Sequence, residues 1–260
     1  MNMDLNVRMK ENYEYRSQTC LTRRIPCIIR VDGKNFSRII NKWAKPFDDV
    51  MNAAMEYATL NTAREIQGCQ FCYTTSDEAS FLVRDDFELN TDAYFNYNVQ
   101  KITSIVSSMF TYHFNWYMNA FVDDMFDDEK GALEHYQFKN YDKIFVDYVN
   151  TPIYFDCRCF NIPKEEVCNY FCWRQQDSSR NSIYSLARSL YSHKELQGLN
   201  GKQLQDKMFT EKGVNWNDIS TRNKRGMCYY KGLTVEDRGW NMDLEIPIFT
   251  QERKYIEKFL

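Results

Sequence analysis

The pattern of hydrophobic and polar positions divides roughly the first 160 residues into four strands and two long helices. Short apolar runs that are partly β-branched, as is typical of strands in a sheet, occupy residues 27–31, 69–75, 79–84 and 153–160. Apolar residues recur at intervals of three and four over 51–66 and again over 99–121, which indicates amphipathic helices. The order β-α-β-β-α-β predicts an α+β fold with a ferredoxin-like antiparallel sheet.

Further helices are expected outside these elements. The chain opens with a charged segment over 3–19 that predicts a helix, and a short helix is expected from Lys34 to about residue 41. Beyond the fourth strand, helical patterns run over 163–190 and again over 204–209. The second half of the chain therefore adds helices to the sheet.

The C-terminal tail predicts short strands and no separate folding unit. Strand-like runs surround Trp240 and residues 246–248, and no repeat, linker or low-complexity segment interrupts the chain. We therefore expect a sheet-containing catalytic domain over 1–162 and a C-terminal helical and short-strand region over 163–260, packed on it.

The net charge excludes a strongly basic nucleic-acid-binding protein, and the sequence shows no signal for membrane insertion. The chain has 260 residues and a formal net charge of −3, so any nucleic-acid partner must be held by a local patch. Composition alone favours a small-molecule enzyme. No apolar run approaches the length of a membrane span, and the first residues lack the apolar core of a secretory signal. We expect a soluble cytoplasmic protein without a membrane partner.

The cysteines indicate reduced thiols and only a weak case for zinc. There are nine, an odd number scattered through strand-like and helix-like stretches, which does not suit a disulfide framework. Cys69-x-x-Cys72 offers half of a zinc site, with cysteines near 157–159 or 168–172 as the other half. However, in a regular strand Cys69 and Cys72 point to opposite faces.

Two carboxylates are the candidate chemistry. Asp32 ends the first predicted strand and precedes Gly33, which lets the chain turn and lets a ligand approach the backbone. The first amides of the following helix are expected to point at that ligand. A lone Asp-Gly pair more often ends a strand and caps a helix, but Asp77 lies in the tight turn between the second and third strands. In this topology the two acids lie side by side, with the Gly33 carbonyl between them.

Neighbouring carboxylates favour a divalent cation. Like charges at short range raise each other's pKa unless a cation resolves the conflict. Mg²⁺ suits a site with few protein oxygens, because it keeps waters and completes its shell with phosphate oxygens. Two such ions would serve an in-line displacement at phosphorus, which makes Asp32 and Asp77 candidate catalytic residues. Glu78 is a third candidate, as a ligand, as a group behind the ligands, or as a turn residue only.

Four cations are available to clamp a polyphosphate at this site. Arg30 precedes Asp32 by two residues and therefore shares its face of the predicted strand. The other three come from separate elements, and the full set is Arg30, Lys45, Lys101 and Arg158.

Four ordered sequence blocks carry a family resemblance. They are Arg30-Val31-Asp32-Gly33-Lys34-Asn35-Phe36, Ala44-Lys45-Pro46, Thr75-Ser76-Asp77-Glu78-Ala79-Ser80-Phe81 and Trp173-Arg174-Gln175-Gln176-Asp177. In order and spacing, they resemble the tRNA(His) guanylyltransferase family, and more closely its guanylyltransferase-like members, the 3′→5′ polymerases that repair tRNA 5′ ends. The match extends from about residue 5 to 232.

The resemblance implies a polymerase-type palm and a tRNA substrate. A 5′-monophosphate is activated with ATP or GTP, and the 3′-hydroxyl of an incoming nucleotide then attacks it. By the same resemblance the enzyme uses two Mg²⁺ ions, held by Asp32, the Gly33 carbonyl and Asp77, and forms a homotetramer.

The resemblance also implies roles for residues around the two acids. The backbone and hydroxyl groups of Lys34, Asn35, Phe36, Ser37 and Ser76 would line the nucleotide triphosphate. Phosphates of the nucleotide or of the RNA 5′ end would be gripped by Lys45, Lys101 and Arg158, the last in the sequence Phe155-Asp156-Cys157-Arg158.

Two departures from the family pattern bear on the substrate. Ser37 stands where a histidine commonly follows the Phe of the first block. Ser179-Arg180-Asn181-Ser182 replaces the His-Ile-Asn-Asn block that is associated with non-templated guanosine addition, and the guanylyltransferase-like members commonly lack that block. This favours template-dependent repair of 5′-truncated tRNA.

A polar stripe on the helix of the fourth block is a candidate RNA- or phosphate-binding surface. Helical spacing places five side chains on one face, namely Arg174, Asp177, Asn181, Ser185 and Arg188. Of these we take Arg174, Asp177 and Asn181 as the candidate contacts. An internal network that merely orders the helices explains the same stripe.

Competing functions remain open at this stage. One is the addition of a non-templated 5′ guanosine to histidine tRNA. Another is a nucleotidyl cyclase, which shares this sheet and two-metal chemistry but leaves the Trp-Arg-Gln block without a purpose. A third, from a different class, is a non-catalytic RNA-binding protein with an inactive palm.

Overall fold

One antiparallel sheet of six strands organises the molecule. The computed structural model describes residues 4–36, 43–126, 152–232 and 239–260. The strands are β1 (Cys27–Gly33), β2 (Cys69–Thr75), β3 (Glu78–Val83), β4 (Phe155–Asn161), β5 (Met227–Lys231) and β6 (Trp240–Asp243). Their spatial order is β4-β1-β3-β2-β5-β6. The first four strands therefore have the ferredoxin-like arrangement expected from the sequence.

Helices cover the sheet and extend beyond it. They are α1 (Leu5–Met9), α2 (Asp49–Glu65), α3 (Val99–Phe126), α4 (Lys164–Leu190), α5 (His193–Leu196), α6 (Gly201–Lys212), α7 (Thr221–Arg225) and α8 (Lys254–Glu257). The Asp48 carboxylate caps α2, because its Oδ1 accepts a hydrogen bond from the amide of Met51 at 2.9 Å.

Each face of the sheet has its own hydrophobic core. Successive residues of a strand point to opposite faces, so β1 contributes to both cores. On one face, Val31 is fully buried in the cluster that includes Phe110 of α3. On the other, Ile28 is buried with Phe171 of α4. Asp32 lies an even number of residues from Ile28 and therefore on the α4 face.

The C-terminal region contributes to the same sheet. β5 pairs with β2, and β6 pairs with β5, so strands on both sides of residue 162 form one continuous sheet. The expected strand over 246–248 is absent; α8 and its neighbours instead pack against the core of the α4 face, where Ile246 is fully buried. The division of the chain at residue 162 stays a prediction.

One local expectation is confirmed and another is corrected. The charged N-terminal segment is helical, as α1 followed by one π-helical and one 3₁₀ turn, and no residue of these three elements is buried. Cys69 and Cys72 share one side of β2, with their sulfurs 3.7 Å apart, because an irregularity between Cys69 and Phe71 shifts the strand by one residue.

In the described part of the chain, no group of three or more His, Cys, Asp or Glu side chains is placed to hold a metal ion. Within those residues there is also no helix of the length and apolar character needed to cross a membrane.

Candidate active site

The structure brings Asp32 and Asp77 to the same edge of the sheet. β1 lies beside β3, with Asp32 directly opposite Glu78, the residue that follows Asp77. The amide of Gly33 donates a hydrogen bond to the carbonyl oxygen of Asp77 at 3.0 Å. Burial, and after it the negative charge of Asp32, together raise the pKa of the Asp77 carboxyl to about 6. The two acids therefore form the electrostatic pair expected from the topology.

Gly33 leaves no room for a side chain. A Cβ at this position would lie 2.7 Å from Cδ2 of Phe36 and 3.1 Å from Cβ of Asp77. Both distances are shorter than ordinary van der Waals contact, so either Phe36 or the Asp77 turn would have to move. Glycine is therefore required here for close packing between the end of β1 and the turn.

The turn that carries Asp77 is held in an unusual conformation. Ser76, the first of the two residues joining β2 to β3, has a φ of 49°. Glycine is the usual residue at such a position, and a non-glycine residue there costs on the order of 1–3 kcal/mol. The Thr74 hydroxyl donates to the carbonyl oxygen of Glu78 at 3.1 Å, which ties the two strands together just below the turn.

The Glu78 carboxylate is fully engaged by arginines. Arg174 donates from Nε to Oε1 at 2.7 Å and from Nη2 to Oε2 at 2.8 Å, a bidentate pair in which each side chain is 9% exposed. Nε of Arg30 lies 3.0 Å from Oε2 of the same carboxylate. Burial raises the pKa of Glu78 even though both arginines lower it. In this arrangement Glu78 lies behind the site, with its oxygens bound to protein.

Arg30 connects Glu78 to Asp32. Its Nη2 donates to Oδ2 of Asp32 at 2.8 Å, so it shares the face of Asp32 as the strand period predicts. Arg174 likewise contacts Asp177 at 3.1 Å, and Asp177 also accepts from Arg180. Charges thus alternate from Asp32 at the sheet edge to Arg180 on α4.

Two adjoining cavities open beside Asp77. One, of about 130 Å³, lies between residues 43–48, the β2–β3 turn and α4. The other, of about 340 Å³, is bordered by Phe36, the turn, and Arg180 and Arg188 of α4. Both cavities are lined by Ser76, Asp77, Asn181 and Ser185. Asp77 therefore lies at the boundary between two spaces that a pair of substrates would need.

In the loop after β1, the first backbone amides are not free to bind a ligand, although the sequence predicted that they would be. The amides of Gly33 and Lys34 donate to the carbonyl oxygens of Asp77 and Tyr154, so neither points freely at a ligand. Lys34 and Asn35 are exposed, and Asn35 has a φ of 55°. These two residues continue the β1 edge as a turn. The expected helix extends to residue 41, and most of it, including Ser37, lies outside the described residues.

The ring of Phe36 belongs mainly to the core. It is 2% exposed and packs edge-on against Trp43 and Phe114, with ring centroids 5.9 and 6.3 Å apart. Phe36 also lines one side of the larger cavity. Phe36 thus anchors the loop that leaves β1.

Of the remaining candidate cations, the structure brings only Lys45 to a cavity. Lys45 lines the smaller cavity, and burial lowers its pKa while Asp48 acts in the opposite direction. Lys101 is exposed in the first turn of α3. It precedes Phe114, the α3 residue that touches Phe36, by 13 residues, or about 20 Å along the helix. Arg158 is exposed on β4 and pairs with Asp156 at 2.8 Å.

Some lining residues were missed by the sequence reasoning. Asn52 of α2 donates to Asn223 of α7 at 3.1 Å, and both line the smaller cavity with Arg222. The hydroxyls of Thr75 and Ser178 share a hydrogen bond of 2.6 Å between the β2–β3 turn and α4. Ser178 follows Arg174 by one helical turn, so helical spacing in the sequence could have placed both residues on the same face. Nothing in the sequence linked Asn52 to Asn223.

The donor set fits Mg²⁺. Asp32 and Asp77 provide hard carboxylate oxygens, and their mutual repulsion is the kind that a divalent cation removes. In the described residues Asp77 forms no ion pair; its side chain interacts with the Ser76 hydroxyl. Two acids and a backbone carbonyl leave coordination positions for water and phosphate oxygens.

This combination defines a class of protein. An antiparallel palm-type sheet with paired acids, one at a strand end and one in the adjacent hairpin turn, is the arrangement of a nucleotidyltransferase. A family model described as tRNA(His) guanylyltransferase (Thg1) matches residues 7–163. The chain therefore belongs to the tRNA(His) guanylyltransferase family, whose members are nucleotidyltransferases.

Individual relatives agree with this assignment. The tRNA(His) guanylyltransferase of Kluyveromyces lactis is 28% identical over 234 residues, which cover 84% of this chain and 85% of that one. A bacterial tRNA(His) guanylyltransferase (Thg1)-like protein in complex with ATP is 37% identical, with a TM-score of 0.82 and 98% of each chain covered. A bacterial protein of the same description in complex with GTP is 34% identical, with a TM-score of 0.77 and 99% of each chain covered.

Proposed function

We propose that this protein is a Mg²⁺-dependent 3′→5′ nucleotidyltransferase that adds nucleotides to the 5′ end of tRNA. Its preferred reaction is template-dependent repair of 5′-truncated tRNA. The observation that carries the proposal is that Asp77 lies at the boundary of two cavities, with the charge of Asp32 close enough to act on its carboxyl. A transfer between a nucleotide and an RNA end needs two such spaces that meet at the reacting phosphorus.

The side chains around the acids have distinct tasks. Asp32, Asp77 and the Gly33 carbonyl would hold two Mg²⁺ ions. Bound magnesium supplies activation of the attacking hydroxyl and neutralisation of the charge on the leaving group. Lys45, which lines the smaller cavity, pairs with phosphate, and the Ser76 hydroxyl donates to phosphate oxygens at the turn. ATP or GTP serves as the activating nucleotide.

The choice of templated repair rests on the segment after the Trp-Arg-Gln block. Ser182, at the last position of that segment, is committed to structure: its hydroxyl donates to the carbonyl oxygen of Asn223 at 2.6 Å and accepts from Nε1 of Trp216 at 3.0 Å. Without the block tied to guanosine addition, base selection falls to Watson–Crick pairing with the opposite acceptor strand, while the protein binds backbone and phosphate.

A competition assay tests the function. One substrate is a tRNA that lacks its first nucleotide, offered each NTP against each template base; the other is full-length histidine tRNA offered GTP opposite A or C. Templated repair predicts that the added nucleotide follows the template base and that GTP is added much better opposite C than A. Efficient guanosine addition opposite A, with little response to the template, would instead establish histidine-tRNA guanylylation.

Two further measurements address the alternatives. Nucleotide binding that requires Mg²⁺ is expected, whereas Mg²⁺-independent RNA binding without transfer would indicate an inactive palm. Release of a cyclic nucleotide from NTP alone would indicate a cyclase. Sedimentation of the purified protein tests the homotetramer expected from the family resemblance, and fractionation of cells tests the cytoplasmic location.

A further inference from the structure

Helix α4 forms hydrogen bonds with both strands of the hairpin that carries Asp77. Thr75 and Glu78 face each other at the last pair before the turn, so they flank Ser76 and Asp77. Thr75 is bound to Ser178 of α4, and Glu78 is bound to Arg174. Residues four apart on a helix lie on the same face, so Arg174 and Ser178 form one contact surface.

The Glu78–Arg174 pair has the geometry of a fixed support. Two parallel hydrogen bonds of 2.7 and 2.8 Å join the planar groups, and both side chains are 9% exposed. Arg30 occupies the remaining side of the Glu78 carboxylate, and Asp177 takes the second bond from Nη2 of Arg174. A bidentate pair of this kind fixes orientation as well as distance.

We propose that Arg174 is a positioning residue that acts through Glu78 on Asp77. Arg174 and Ser178 hold the two ends of the strained turn, and this keeps the Asp77 carboxylate converged on Asp32. The inference rests on the proposed two-metal function of those acids. It assigns Arg174 a task in the alignment of the metal site and gives it no contact with the substrate phosphates.

This role predicts a particular kinetic pattern. Loss of the pair shifts Asp77 relative to Asp32, so the chemical step slows while the binding of RNA and nucleotide changes little. A displacement near 1 Å at a reacting centre lowers the rate about 10²-fold. Loss of a group that supports a metal ligand also weakens metal binding about 10- to 100-fold. A phosphate-binding arginine would instead raise KM for the RNA or the nucleotide.

The test is a double-mutant cycle with Glu78→Gln, Arg174→Gln and the two combined. Each single substitution should lower kcat about 10²-fold, and the double variant should be no worse than either single one, because all three remove the same interaction. KM for tRNA and NTP should stay within about threefold of wild type, well below the effect of losing a charged phosphate contact. Arg64→Gln, an exposed arginine that donates to Asn61 on α2, is the matched control and should match wild type.

A second readout does not depend on turnover. Mn²⁺ binding, followed by the EPR signal of the free ion, should show a half-saturation concentration about tenfold or more higher in each variant than in wild type. Circular dichroism checks the fold of every variant. If Arg174→Gln does not fold, the cycle is completed with Arg174→Lys, which keeps the charge but loses the planar fork.

The possible results distinguish a failure of this inference from a failure of the proposed function on which it rests. Multiplicative losses in the double variant, a rise in KM with unchanged kcat, or unchanged Mn²⁺ binding would overturn the positioning role. Wild-type protein that neither binds Mn²⁺ nor transfers a nucleotide would refute the proposed function itself, whatever the variants do.

Discussion

The amide of Gly33 donates a hydrogen bond to the carbonyl oxygen of Asp77 at 3.0 Å. This bond joins the end of β1, which carries Asp32, to the turn that carries the second acid. Two residues separated by 44 positions in the chain are thereby held at one point on the sheet edge. The site is built on backbone contacts, so small backbone changes should affect it.

Replacement of Gly33 by alanine tests this contact. The added Cβ would lie 2.7 Å from the Phe36 ring and 3.1 Å from Cβ of Asp77, so one of them must shift. We expect Gly33→Ala to lower kcat about 10²-fold and to lower stability by roughly 1–3 kcal/mol. Steady-state kinetics and thermal unfolding measure the two effects. Gly201→Ala, at the start of α6 with its nearest neighbour at 3.9 Å, is the control; a similar loss in both variants would argue against the steric explanation.

Asp32→Asn and Asp77→Asn should abolish nucleotidyl transfer without loss of the fold. Each substitution removes a carboxylate charge where a metal ion supplies several kcal/mol of transition-state stabilisation. For Asp77→Asn we expect the free energy of unfolding in EDTA to stay the same or rise by up to about 2 kcal/mol, because a buried charge that also lies beside Asp32 is removed. Transfer assays with Mg²⁺ and thermal unfolding check both parts, and near-normal turnover in either variant would contradict the assignment.

Asp77 also predicts a pH dependence of stability in the absence of metal. Burial, with the charge of Asp32, raises its pKa to about 6, whereas an aspartate in the unfolded chain has a pKa of about 3.9. The folded state binds the proton at a pH where the unfolded state has lost it, so this group makes the protein more stable as the pH falls from about 7 to about 4. The Tm of wild type minus that of Asp77→Asn, measured in EDTA, should therefore increase as the pH is lowered through that range. A flat or falling difference would show that the acid titrates normally.

Lys45 should bind nucleotide or RNA phosphate. It lines the smaller cavity in a partly buried position, where a charge-assisted hydrogen bond contributes about 1.5–3 kcal/mol. Lys45→Ala is therefore expected to raise KM for NTP or for the RNA 5′ end about tenfold or more. Lys254→Ala, an exposed lysine in the first turn of α8, provides the comparison. Equal kinetics in the two variants would place the phosphate site elsewhere.

The sequence alone determined the sheet and the two acids. Short apolar runs, the helical stripes between them and the turn at Ser76 predicted β1 to β4 in the order that the structure shows, because such runs form strands buried in a sheet. The ferredoxin-like topology then places Asp32 beside Asp77. Local pattern was sufficient, since register and hairpin connection fix which strand ends meet.

Where a local irregularity intervened, sequence reasoning was wrong. A shift in β2 turns Cys69 and Cys72 to the same side, and a regular strand period cannot anticipate it. The amides of Gly33 and Lys34 are bound by backbone carbonyls of other segments, so they are not free to point at a ligand as expected. Both outcomes depend on partners distant in the chain.

Only the tertiary structure decided the tasks of the charged residues around the acids. The sequence presented Glu78 and Arg174 as separate candidates, for the metal and for RNA, although they are 96 residues apart and form one buried bidentate pair. In the same way, Lys45 lies at a cavity while Lys101 lies about 20 Å along α3 from the helix turn that touches Phe36. A charged residue has no preferred partner in the sequence; its role follows from which opposite charge the fold brings within a few ångströms and from how much water is excluded there.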